Sequence, residues 1–230
     1  MTEHHPDHET LLDYAAGHSR EPVALLVATH LALCPQCRRE VAAMEEVGGV
    51  VLEENEPSNV DEHSLDAVLA RIERGDRPES TQAPAAGEQG GERGGEPSGE
   101  PEASAIPRPL RDYIGGSLDR VHWKRLSGKV AEARLLDRHS GFETRLMRIG
   151  AGGRIPVHTH EGREFTLVLK GGFTDEFGHY VRGDVAKADS DMTHQPVADA
   201  DGECICLAVT DAPLRFTGPM GKLINIINRF

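Results

Sequence analysis

Large aromatic rings are scarce in this chain: one Trp, three Tyr and six Phe among 230 residues, with 25 Gly. Part of the length is therefore not core. No apolar run is long enough to cross a bilayer, which excludes a helical membrane span. The first residues, Met1 to Asp7, lack the basic and apolar regions of a secretion signal, so a cytoplasmic location and no membrane partner are expected. Cysteine is limited to four, as Cys34/Cys37 and Cys204/Cys206. In a reducing compartment a CxxC pair points to metal binding or redox chemistry rather than a structural disulfide. The pair at 204 and 206 has strand spacing, and two small buried residues on one face are expected there.

Basic residues are missing where a nucleic-acid surface would need them. Asp plus Glu outnumber Lys plus Arg by 15 to 5 over residues 1–75 and by 7 to 2 over 76–105, against 16 to 18 beyond. Phosphate contacts need basic surface, so direct nucleic-acid binding is not expected. An acidic N-terminal part suits a basic protein partner instead.

What is present falls into two parts around a tether. Residues 76–105 hold six Gly, four Pro and no Val, Leu, Ile or aromatic residue. Such a stretch buries too little apolar surface to offset its ordering entropy, which predicts a disordered linker. The chain thus reads as a multidomain α + β protein, with domains at 1–75 and 106–230.

Residues 1–75 read as about four helices. The first runs from Thr10 to a stop at Gly17. Glu21-Pro22 opens a second through Leu33, and Pro35 begins a third with Val41, Met44, Val47 and Val51. After Ser64, the residues Leu65, Val68, Leu69 and Ile72 form one apolar stripe. This fourth helix is expected to pack against its own domain; the alternative is an arm that closes over a partner. Four short helices make a thin core, which a metal staple would strengthen.

Within this part lies His30-x3-Cys34-Pro35-Gln36-Cys37. His30 and Cys34 share a helix face, and Pro35 places Cys34 at the start of the next helix, where the dipole favours a thiolate. Cys37 lies one turn further on. A redox CxxC of the thioredoxin kind would follow a strand, whereas here a helix precedes it. Tetrahedral zinc needs a fourth ligand, for which His4, His5 and His8 are candidates.

The text His5…Leu11-Leu12-Asp13-Tyr14-Ala15-Ala16-Gly17 and Val27-Ala28-Thr29-His30-x3-Cys34-x2-Cys37 resembles the zinc-binding anti-sigma domain. The whole arrangement resembles the ChrR-type anti-sigma factors, which join that domain to a C-terminal cupin. The resemblance implies His5 as the fourth ligand, zinc in the site, and an extracytoplasmic-function sigma factor as partner.

Beyond residue 106 the pattern changes to short β-rich runs at 130–136, 143–149, 165–169 and 204–209, punctuated by Gly, Asp and Pro, which predicts an antiparallel sandwich or barrel. His158 and His160 alternate on one strand, Glu164 follows a short turn, and His194 lies thirty residues further on. The spacing Gly152-x5-His158-x-His160-x3-Glu164-x6-Gly171 resembles the first cupin motif, which implies a jelly-roll barrel. Gly183 and His194 hold their places in the second motif, while Asp189, Asp191 and Ala198 replace its Pro, Gly and Asn. Three imidazoles and a carboxylate suit Zn, Fe, Mn, Ni or Cu; the ChrR resemblance implies zinc here too.

Two functions follow. In the first the chain is a regulator and not an enzyme. Its helical domain sequesters a sigma factor, and its cupin, by resemblance, senses singlet oxygen or organic hydroperoxide and frees that partner. In the second the cupin is a metal-dependent oxygenase or isomerase with an accessory zinc domain. Glu161, Arg163 and Asp191 are then the available acid–base groups, though all three suit a solvated rim. The regulator is the reading adopted.

Overall fold

The computed structural model describes residues 2–75, 106–136, 141–212 and 214–216. The tether at 76–105 lies outside the described residues. The helices are α1 (His8–Ala15), α2 (Glu21–Leu33), α3 (Pro35–Glu53), α4 (Ser64–Glu73) and the short α5 (Arg108–Arg111). Asp7 caps α1, its carboxylate accepting the Thr10 N–H at 2.8 Å, and Gly17 leaves the helix with φ of 71°. Pro22 sits in the first turn of α2, where its missing N–H costs nothing. Cys34 ends α2 in an extended conformation, φ −113° and ψ 104°. The following Pro35 demands that conformation, and it makes the corner into α3.

The β part consists of β1 (Lys124–Arg125), β2 (Val130–Leu136), β3 (Glu143–Ile149), β4 (His158–His160), β5 (Glu164–Lys170), β6 (Gly172–Thr174), β7 (His179–Val181), β8 (Val185–Ala188), β9 (Thr193–His194), β10 (Val197–Ala198), β11 (Cys204–Thr210) and β12 (Leu214–Phe216). Every pairing is antiparallel. One sheet has the order β1-β2-β3-β11-β5-β8; two three-stranded sheets, β10-β6-β7 and β12-β4-β9, complete the cupin.

The central strand β11 is apolar on both faces because both are covered. Cys206, Ala208 and Thr210 line the interior cavity. Ile205, Leu207 and Val209 pack outward in one cluster with Leu25 and Leu26 of α2 and with Ile106, Leu110 and Ile114 around α5. Leu26 and Leu207 are fully buried. Each such leucine contributes roughly 1.5–3 kcal/mol relative to exposure. On its other side, α2 gives Val27 to a second cluster with Leu11, Cys34, Cys37 and Val41. The described residues of 2–49 and 106–216 accordingly form one compact unit.

A second unit begins at Val50. Its described part holds the end of α3 and all of α4. Against the expectation of a packed fourth helix, none of the residues of α4 is buried among the described residues. Leu65, Val68, Leu69 and Ile72 are 67%, 50%, 48% and 68% exposed. The amphipathic pattern is real, but its apolar face has no cover among the described residues.

Candidate metal centres

The α2–α3 corner and the segment before α1 bring His5, His30, Cys34 and Cys37 together, with ligand atoms all within 4.8 Å of one another. His5 Nδ1 lies 3.5 Å from Cys34 Sγ and 3.4 Å from Cys37 Sγ. Cys34 Sγ also accepts the Cys37 N–H at 3.5 Å, so it caps the first turn of α3 as an N-cap oxygen would. His4 and His8 turn elsewhere. The His4 ring packs 4.6 Å from Tyr180, and His8 Nδ1 meets Glu40 Oε1 at 2.9 Å.

The donor chemistry of this group fits a metal. His30 is fully buried. Its Nδ1 donates to the Gly183 carbonyl at 2.8 Å, which leaves Nε2 as a bare lone pair. That Nε2 has no hydrogen-bond partner. Burial lowers the His30 pKa, opposed by the Gly183 bond, so the ring is neutral and able to ligate. Burial, then Cys34, pushes the Cys37 thiol up to about 12. Without a cation the Cys37 sulfur therefore stays protonated, and a cation is what would make it a thiolate.

The second group, His158, His160, Glu164 and His194, is likewise gathered within 4.8 Å and buried. The alternation along β4 points both of its histidines inward, and β9 pairs with β4 so that His194 stands opposite His158. His194 Nε2 lies 3.1 Å from the Nε2 atoms of both His158 and His160. His158 Nδ1 donates to Pro156 O at 2.9 Å, and His194 Nδ1 donates to Asp175 Oδ2 at 2.9 Å. Both of their Nε2 atoms are then lone pairs facing each other, which repel unless a cation lies between them. Burial lowers the pKa of His158 and of His160, against the pull of Glu164, so a proton is disfavoured in that role. Glu164 accepts from Thr166 at 3.2 Å and approaches His160 Nδ1 at 3.8 Å.

Sequence spacing does not reveal Asp175. Its carboxylate is 2% exposed and holds His194 in its tautomer. Burial alone would raise its pKa, but the His194 bond and the N–H groups of Phe177 and Gly178 hold it low and ionised. No motif position marks it, because the contact joins residues 19 apart, with β7 and β8 between them in the chain.

The cluster opens on a cavity walled by Met147, Ile149, Ile155, Phe173, Tyr180 and Met192, with Arg145 also at its lining. Arg145 is neutralised by Glu132 at 3.2 Å and Glu143 at 2.6 Å. Of the rim groups, Glu161 pairs with Arg215 at 2.7 Å and Arg163 with Asp211 at 3.1 Å. Cys204 and Cys206 are both buried on β11. The neighbouring Cys204, with burial, pushes the Cys206 thiol up.

Comparison with known proteins agrees with this architecture. Residues 113–213 match the ChrR cupin-like domain. The anti-sigma-E factor ChrR of Cereibacter sphaeroides is 40% identical over 222 residues, covering 96% of each chain. The crystal structure of Rhodobacter sphaeroides SigE in complex with the anti-sigma ChrR matches with a TM-score of 0.73 at 37% identity, over 92% of this chain and all of that one. No helix among the described residues is long and apolar enough to cross a membrane. With both halves, helical and cupin, accounted for in one alignment, the chain belongs to the ChrR family of anti-sigma factors.

Proposed function

We propose that this protein is an anti-sigma factor. It holds an extracytoplasmic-function sigma factor inactive through its helical part and releases it under oxidative stress sensed through the cupin. It is a regulator and not an enzyme. The observation that carries the reading is the apolar stripe of α4, which has no cover among the described residues; Val50, Val51 and Leu52 at the end of α3 are each more than half exposed as well. An apolar face of that length on an acidic segment suits a basic partner with an apolar groove. The alignment with ChrR, whose complex with SigE is known, supports the identity of that partner.

Zinc is the metal this reading assigns to both sites. His5 Nδ1, His30 Nε2, Cys34 Sγ and Cys37 Sγ would hold the first, a soft donor set that suits tetrahedral zinc. Bound there, zinc acts as a cross-link between the N-terminal segment, α2 and α3, worth roughly 10–16 kcal/mol in small domains. His158, His160, Glu164 and His194 would hold the second. Met147, Met192 and Cys206 line the adjoining cavity, placing oxidisable sulfur beside that site.

The test is co-purification of the full chain with sigma factors of this type from native extract, beside Cys34→Ser/Cys37→Ser, with zinc quantified in each. Retention of a sigma factor by the zinc-loaded wild type alone is expected. A folded, zinc-loaded wild-type protein that retains none would overturn the assignment. Exposure of the complex to a photosensitiser or an organic hydroperoxide should then release the partner from the wild type but not from His158→Ala.

A further inference from the structure

One ten-residue stretch touches both metal-ligand groups. Asp175 begins it, just after β6. One carboxylate oxygen holds His194 Nδ1 at 2.9 Å, and the other accepts the N–H groups of Phe177 at 2.9 Å and Gly178 at 3.1 Å. The Asp175 N–H closes the turn on Gly178 O at 3.0 Å. β6 and β7 then pair Thr174 with His179 and Phe173 with Tyr180. A displacement of Asp175 is therefore carried by main-chain bonds into β7. Tyr180, 7% exposed, stacks on Phe173 at 4.9 Å inside the cavity and meets the His4 ring at 4.6 Å.

The stretch ends in the turn at Gly183 and Asp184, which grips the other group. The Asp184 carboxylate is spent entirely on backbone N–H groups: Glu3 at 2.8 Å, His4 at 3.2 Å and Val181 at 2.9 Å. Val185 N–H returns a bond to His4 O at 3.0 Å. This straps down the residues directly before the ligand His5. Gly183 supplies the carbonyl that orients His30 at 2.8 Å. It sits at φ 99°, and a Cβ there would lie 3.1 Å from Thr2 Oγ1, so a side chain at 183 is strained and would press on the same segment. Two of the four N-terminal donors and one of the four cupin donors thus take their orientation from residues 175–184.

We infer that residues 175–184 form a shared outer shell for the two metal centres, so that filling either centre raises the metal affinity of the other. This rests on the proposal that both groups bind metal. Outer-shell partners fix the tautomer and direction of a ligating imidazole, and losing one typically lowers affinity 10–100-fold. When one rigid segment serves two sites, ordering it for the first reduces what the second must order, and the coupling is reciprocal. A factor of at least about five is expected, at the lower end of measured couplings.

Cobalt(II) reads the centres separately in the full chain, because thiolate-to-cobalt charge-transfer absorption arises only at Cys34 and Cys37. Cobalt affinity at that centre is measured by chelator competition in the wild type with the cupin centre loaded, in His158→Ala/His160→Ala, and in Asp184→Asn. The expected result is a fivefold or greater loss in the cupin double variant. In Asp184→Asn both centres should still bind, with the dependence reduced below twofold. Reciprocity supplies a second measurement should the double variant misfold: cupin affinity in Cys34→Ser/Cys37→Ser should fall by the same factor. If both centres load and their affinities agree within twofold whatever the state of the other, the inference is overturned while the metal reading stands. Full-sized coupling in Asp184→Asn would overturn the role given to this segment. Absence of the thiolate band would defeat the metal reading and the inference together.

Discussion

A single carboxylate, Asp7, shows how local rules and long-range contacts share one side chain. It caps α1 through Thr10 and also pairs with Lys187 of β8. Burial would raise its pKa, but the Lys187 and Thr10 bonds bring it to about 2, below the usual 3.8. A depressed carboxyl contributes stability that is present above the unfolded value and lost as pH falls through the folded one. Its share should fade between about pH 4 and pH 2. Asp7 is more than a third exposed, so that share is small. In urea titrations at neutral pH, Asp7→Ala should lose about 1 kcal/mol with the cap, and Asp7→Asn distinctly less. Asp7→Asn should also flatten the acid limb; an unchanged limb would show that Lys187 does not set it. Asp175 works differently, through His194. Asp175→Asn should retain the fold and weaken cupin metal binding 10–100-fold, as read by chelator competition. His30, Cys34, His158 and His160 were legible as candidates from spacing, because residues at i, i+2 on a strand or i, i+4 on a helix share a face, whereas His5 was implied only by the family resemblance. Asp175 and the Gly183 carbonyl were not, since nothing local distinguishes an outer-shell group from a turn residue.

Among the elements, α2 and α4 carry their apolar residues to opposite ends. α2 is buried on two sides: Leu25 and Leu26 against the sheet, and Val27 against α1 and α3. Leu26→Ala should destabilise the protein by about 2–5 kcal/mol, as for other buried leucines, measured by chemical denaturation; a cost below 1 kcal/mol would show that the helix–sheet contact is loose. α4 buries nothing. Leu65→Asp/Leu69→Asp should leave stability within about 0.5 kcal/mol of the wild type, as for surface changes. It should also weaken the sigma factor complex by 2 kcal/mol or more if these residues anchor it, which calorimetry of the purified pair would report. The boundaries of all four N-terminal helices were close to legible, through Pro22, Pro35, Gly17 and the stripe after Ser64. The two- and three-residue strands β1, β4, β6, β7, β9, β10 and β12 were too short for periodicity to mark, although the spacing of His158 and His160 placed both on one strand.

At the scale of the molecule, the helical corner is not free of the cupin. Val23, Leu25 and Leu26 join the sheet cluster, while Asp184 grips the N-terminal strap and the Gly183 carbonyl accepts from His30 of α2. The segment 1–49 and the cupin should therefore unfold together. Differential scanning calorimetry of the metal-loaded full chain should show these two parts melting in one transition, and Leu26→Asp should split or broaden it. Two well-separated transitions in the wild type would contradict the shared core. The same contacts predict that residues 1–75 made alone expose Leu25 and Leu26 and bind hydrophobic dyes more strongly than the full chain.

Much was determined by the sequence itself: the helical and β halves, the low-complexity stretch between them, and both groups of candidate ligands, with His5 implied by family resemblance. Each depends on neighbours along the chain, on periodicity, capping and spacing, which composition and order express directly. Only the tertiary structure decided that α2 lies on the outer face of the sheet and that α4 stands uncovered. It also brought one turn of the cupin to the ligands of the helical site. Those outcomes depend on which apolar faces meet and which carbonyl a buried imidazole reaches, with partners such as His30 and Gly183 separated by 153 residues.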